Sequence, residues 1–130
     1  MKNSVSCFED LEVWRISRKL NVLLDNLIKN SQLKYDQVLR HQIERSAGSV
    51  MDNIAEGFGR EGTKELIHFL SIAKGSCEEF RSQLYRALDK GYVEINVFNE
   101  MNGLALQESK KLHAFMKYLR KSNIRGQKFK

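Results

Sequence analysis

Apolar residues return along this chain at steps of three and four, the spacing of one face of an α-helix. Leu11, Trp14, Leu20, Leu23, Leu24, Leu27 and Ile28 form the first such run, with Arg15, Arg18, Lys19 and Asp25 falling mostly between them, so a helix is predicted from near Glu9 to Asn30. Asp36 stands at an N-cap position for a second run, Leu39, Ile43, Ala47, Val50, Ile54 and Phe58. Gly57, Gly59 and Gly62 interrupt it. Thr63 is placed to cap a third run through Leu66, Ile67, Leu70, Ala73, Cys77, Phe80, Leu84 and Leu88. Gly91 follows Lys90 where a terminating glycine belongs, and Asn96 opens a fourth run through Met101, Leu104, Leu112, Phe115, Met116 and Leu119. Alternation with a period of two occurs only at Tyr92-Val93-Glu94-Ile95, too short for a sheet. Four long runs with short connections predict an all-α fold, an antiparallel up-down-up-down four-helix bundle.

The 130 residues fit one domain, and no proline interrupts the helical runs. No apolar stretch is long enough to cross a membrane, and the N-terminal segment lacks the apolar core of a secretory signal. Cys7 and Cys77 are too few for a disulfide framework. A cytoplasmic setting with no membrane partner is the expectation.

Charge changes the picture more. Lys and Arg number 22 against 16 Asp and Glu, a formal charge of +6. Lys110, Lys111, Lys117, Arg120, Lys121, Arg125, Lys128 and Lys130 lie in the last 21 residues with no acid among them, which leaves residues 1–109 slightly negative. A bundle over residues 1–121 followed by a basic tail, 122–130, is the predicted organisation, with helix ending near Ile124. A basic end of this kind favours a polyanion, and Tyr118 and Phe129 offer rings for unpaired bases. These eight cations are the candidate nucleic-acid contacts, with RNA the expected ligand.

Catalytic chemistry finds little support. Gly57-Phe58-Gly59-Arg60-Glu61-Gly62 matches the dinucleotide fingerprint G-x-G-x-x-G, but that motif needs a strand before it and a parallel sheet around it. Here it reads as a tight connection between helices. Glu65 and His68 form one Glu-x-x-His, half of a di-iron motif whose mate is missing at His41 and His113. Cys77 sits on an apolar stripe and no G-x-S-x-G occurs. No catalytic, cofactor or metal residues are assigned.

Beside its apolar stripe the second run carries Ser46, Ser49, Asn53, Glu56 and Gly57, and the third carries Ala73, Ser76, Glu79 and Ser82. Such ridges predict close helix approach and a buried polar network, within the bundle or across a subunit contact, with Arg45 or Arg60 as the partner of Glu56. Arg45, Asn53, Glu56, Gly57, Gly59 and Arg60 are therefore candidate structural or interface residues, and Glu56→Ala is expected to cost more than a surface change. Val13, Ile16, Val22, Phe69 and Ile72 widen the apolar stripes beyond one core, which predicts a homo-oligomer.

Four segments carry a family resemblance: Phe8-Glu9-Asp10-Leu11-Glu12-Val13-Trp14, Gln42-Ile43-Glu44-Arg45-Ser46-Ala47, Asn53-Ile54-Ala55-Glu56-Gly57-Phe58-Gly59-Arg60 and Phe69-Leu70-Ser71-Ile72-Ala73-Lys74-Gly75-Ser76. In this order, over roughly residues 8–119, they resemble the four-helix bundle family of bacterial 23S rRNA intervening-sequence proteins. The resemblance implies a small bacterial cytosolic protein without catalytic activity, assembled as a ring-like homo-oligomer, a pentamer. Some members are encoded within insertions in 23S rRNA genes, and related bundles of diversity-generating retroelements bind nucleic acid through a basic surface. Cys77 departs from the aliphatic residue expected there, and the tail lies outside the shared motifs. The expected function is non-enzymatic RNA binding through the basic C-terminal region; the alternative is a structural scaffold for an unknown protein partner.

Overall fold

The computed structural model describes residues 5–126 and contains four helices, α1 (Glu12–Lys29), α2 (Gln37–Gly59), α3 (Thr63–Asp89) and α4 (Ile95–Gly126). Two 3-10 turns, Phe8–Asp10 and Gln32–Tyr35, precede α1 and α2. No strand occurs among the described residues. Each helix packs on the next and α1 closes the ring against α4. Cross-helix contacts fix the directions. Gly57 meets Phe69 and Gln42 meets Arg86 across α2–α3, while Arg81 meets Asn102 and Tyr85 meets Phe98 across α3–α4. Glu12 reaches Lys111, and Leu23 and Leu27 share a cleft with Val97 and Met101, so α1 runs against α4. The bundle is up-down-up-down.

Local chemistry sets the ends. Asp36 caps α2 as expected, its carboxylate accepting from the Leu39 N–H at 3.1 Å. Thr63 does not cap α3. That position belongs to Gly62, whose φ of +121° is open to glycine and strained for other residues, and Thr63 is the first helical residue. α1 starts later than the apolar pattern implied, because Arg15 donates to the carbonyls of Glu9 and Asp10 and Phe8 packs edge-on to Trp14, holding the preceding turn apart. α3 ends at Gly91 (φ +78°) with Gly91 N–H bonded to Leu88 O and Tyr92 N–H to Ala87 O, a Schellman motif. α4 passes without a break through residues 121 and 122 and through Ile124 to Gly126, so the basic segment begins as helix.

The core is apolar and continuous, with Leu24, Leu39, Ile43, Ile54, Leu70, Phe80, Leu84 and Leu112 essentially inaccessible. Cys77 fills one core position, as its stripe predicted. Its thiol donates to Ala105 O at 3.2 Å, and burial pushes its pKa up to about 12, so it packs as a neutral group. Val13 and Ile16 also belong to this core, which narrows the surplus stripe that pointed to an oligomer; Val22 is 59% exposed and Ile72 38%.

One core residue is a carboxylic acid. Glu108 is fully buried, and neither side-chain oxygen has a hydrogen-bond partner. Its position follows from spacing, since Met101, Ala105, Glu108, Leu112 and Met116 form one buried face of α4. Desolvation pushes its pKa up to about 9, the charge of Glu12 adds to the shift, and Lys111 opposes it. Lys111 is already paired with Glu12 at 3.3 Å. Glu108 is therefore a neutral acid at pH 7.

The unfolded chain releases this proton near the ordinary value of 4.5, whereas the folded chain keeps it to about 9. Between those values folding takes up a proton, so stability falls as pH rises, by up to about 1.4 kcal/mol per unit, and levels off above the upper value. Asp10, Asp36 and Glu78 have the opposite sign, held low chiefly by the Ser6 N–H, the Leu39 N–H and the Ser109 hydroxyl. Their contributions are complete above about pH 5. Thermal melts from pH 5 to 8 should show a falling Tm for the native chain and a nearly level, higher Tm for Glu108→Met. Parallel curves for the two proteins would refute a neutral buried acid.

Candidate nucleic-acid interface

α4 rises about 1.5 Å per residue, so residues three, four and seven apart share a face. Lys110, Lys117 and Lys121 share one such face and all three are exposed; Gly103, Gln107 and Ala114 complete the stripe. Arg120 is exposed beside Lys117. From Lys110 to Lys121 the stripe covers about 16 Å, enough to follow several phosphates. Lys111 belongs elsewhere, half-buried toward α1 and paired with Glu12. Arg125 lies in the last described turn of α4. Lys128, Lys130 and the base-stacking candidate Phe129 fall outside the described residues. Tyr118 is 64% exposed.

The second group of candidates lies on α2 and at its end. Gly57 is where α2 and α3 come closest: a Cβ there would stand 2.6 Å from Phe69 Cβ and 3.2 Å from Leu66 Cδ1. Arg60 closes the corner, with Nε 2.9 Å from Glu56, Nη1 3.7 Å from Glu65 and its guanidinium 5.1 Å from the centre of the Phe69 ring. The G-x-G-x-x-G match is thus a helix-to-helix corner. Gly57 gives the close approach and Gly62 the positive φ, while a Cβ on Gly59 would meet nothing within 4 Å. Arg60 is committed to two carboxylates, which leaves the start of α3 a poor anion site.

Glu56 pairs with Arg60, not Arg45, and both partners are about half exposed. Such a surface pair contributes only about 0.3–0.5 kcal/mol, so within a single bundle Glu56 is not part of a buried network. The polar network lies deeper along the same ridge. Ser49 and Ser76 hydroxyls meet at 2.8 Å, Asn53 donates to the Ser49 hydroxyl and carbonyl, and Ser46 donates to the Gln83 carbonyl at 2.6 Å. Ala73 is core. Arg45 is exposed and forms no ion pair among the described residues.

Among the described residues no group of three or more His, Cys, Asp or Glu side chains is placed to hold a metal ion. Glu65 turns to Arg60, and His68 packs edge-on to Phe69. Gln83, Arg86 and Glu108 escaped the sequence reading. Glu108 was legible in the spacing of α4, whereas Gln83 and Arg86 acquire their place only through α2.

The motifs of this corner and ridge lie within residues 9–114, the span matched by the model of a family described as 23S rRNA-intervening sequence protein. The chain belongs to that family. No curated protein matches it. A solved structure from Bacteroides thetaiotaomicron, described as a protein of unknown function from the S23 ribosomal protein family, is similar at a TM-score of 0.73 and 26% identity. The similarity covers 81% of this chain and 98% of that one. The matched span includes the α2–α3 corner and the polar ridge of this chain, while the cationic stripe continues past residue 114.

Gly57→Ala gains helix propensity of up to about 1 kcal/mol but forces two backbones apart, an overpacking cost of about 1–3 kcal/mol. Denaturant melts should show it destabilised, while Gly48→Ala, where a Cβ meets nothing within 4 Å, should be stabilised. Equal shifts for both would remove the close-approach role of Gly57.

Proposed function

We propose that this protein is a non-enzymatic RNA-binding bundle that acts in the cytoplasm as a homo-oligomer, a pentamer by its family resemblance. The observation that carries the RNA reading is the exposed face of Lys110, Lys117 and Lys121, with Arg120 beside it, on a helix that contains no acid after Glu108. Cations on a rigid helix track a phosphate backbone and release its counterions on binding, without reading base edges. The result is strong salt dependence and little sequence preference. Several protomers presenting the same face would multiply weak contacts through effective concentration. Arg125, Lys128 and Lys130 extend the same charge along the chain.

Three observations fit a binding role better than catalysis. The one buried thiol is held neutral, the one buried carboxylic acid has no hydrogen-bond partner, and the Glu65–His68 pair is engaged in packing and ion pairing. Self-association draws support from Val22 and Ile72, which stay exposed on α1 and α3.

RNA affinity should be measured across a salt series for the native chain and for a variant with Lys110, Lys117, Arg120 and Lys121 all changed to Gln. The variant should lose most of its affinity, and its log–log salt slope should shrink by about 2–3, as expected for roughly four single-strand phosphate contacts. Indistinguishable slopes would move the function to a protein scaffold. A native mass spectrum at five protomer masses checks the assembly.

A further inference from the structure

Between α2 and α3 the bridging side chains lengthen in one direction. At Gly57 there is no room for a side chain; Ser49 and Ser76 then meet through two short hydroxyls, Ser46 reaches Gln83, and Gln42 reaches Arg86 at 2.8 Å. Longer side chains thus bridge the two helices away from the corner. There a cavity of ≈ 300 Å³ opens, and every side chain lining it is polar.

Its floor is Ser46 and Gln83, both buried. Ser46 Oγ lies 2.6 Å from the Gln83 amide and 3.1 Å from the Ile43 carbonyl, and this single contact leaves the Gln83 amide with hydrogen-bonding capacity to spare. Arg45 and Arg86 line it from opposite helices, with Glu79 and Ser82 also on the α3 side. Arg86 bonds the neutral amide of Gln42 and forms no ion pair, although the Asp36 carboxylate feels its charge. Among the described residues none of Arg45, Arg86 and Glu79 forms a salt bridge, although all three line one cleft. Two guanidiniums and a carboxylate, none of them in an ion pair, suit a ligand that carries an anion and a hydroxyl together.

We propose that this cleft is a second RNA site that takes one ribose-phosphate unit, with Arg45 and Arg86 on the phosphate and Glu79 accepting a ribose hydroxyl. The proposal rests on the RNA-binding reading above and adds a contact outside α4. Guanidinium forks match phosphate oxygens, and a carboxylate beside them repels a bare anion but accepts from a sugar hydroxyl. Glu79 thereby favours an RNA backbone over free phosphate.

The test uses the full chain with Arg45→Gln, Arg86→Gln and Glu79→Gln, each checked by its melting curve. Arg45 is exposed and unpaired, so Arg45→Gln alone keeps the test readable if Arg86→Gln unfolds. Ribose 5-phosphate should shift the Gln83 side-chain amide in NMR spectra more strongly than inorganic phosphate, and Arg45→Gln should abolish both shifts. Glu79→Gln should tighten inorganic phosphate several-fold and erase the preference for the sugar. With single-stranded RNA, Arg45→Gln should weaken binding and reduce the salt slope by about 0.7, one phosphate contact.

If the native chain binds RNA and Arg45→Gln changes neither affinity nor slope, the cleft proposal falls while the α4 reading stands. If the native chain binds no RNA, both fall. Gln83 shifts that survive Arg45→Gln, or shifts from phosphate with no effect of Arg45→Gln on RNA, also overturn the assignment to an RNA backbone.

Discussion

The approach of α2 to α3 at Gly57 is the constraint on which the rest of the bundle depends. A missing side chain lets two backbones come within a distance that no Cβ would permit, and Arg60 and Gly62 then turn the chain in three residues. Once that corner is fixed, the register of the pair follows along its length. Ser49 must face Ser76, Ser46 must face Gln83, and Gln42 must face Arg86. Polar groups half-buried between helices tolerate few alternative partners, so they specify this pairing more sharply than aliphatic contacts do.

α4 answers to two demands. Its inner face completes the core through Phe98, Met101, Ala105, Leu112 and Met116, while its outer face carries the lysines. Glu108 sits on the inner face, where an apolar residue of similar size would be expected to pack at lower cost. Keeping an acid there ties the stability of α4 to proton uptake. The same helix that carries the cationic stripe therefore has a pH-dependent grip on the bundle, and stronger base loosens it.

Two different polar surfaces emerge from one helical scaffold. The α4 stripe is a row of exposed cations on a straight helix, suited to long-range attraction and weak discrimination. The α2–α3 cleft has exposed walls that carry both signs of charge and a buried floor. The stripe would gather a polyanion, and the cleft would hold one unit of it in a defined place. Neither surface requires a metal or a nucleophile.

The four helices, their order, the caps at Asp36 and Gly91 and the core placement of Cys77 were legible in the sequence, because each depends on residues within a turn or two of one another. So was the basic end, because charge is additive along a chain. Thr63 as a cap was misread because Gly62 already supplied the required backbone conformation. Burial of a polar ridge was expected, but its members changed: Glu56 turned outward to Arg60, and Gln83 came in to Ser46. Val13 and Ile16 were read as surplus apolar surface and are core, since α1 buries a wider arc than its main stripe. The cleft could not be read at all. Its arginines are forty-one positions apart, and only the antiparallel pairing of α2 and α3 brings Arg45, Arg86 and Glu79 to one place.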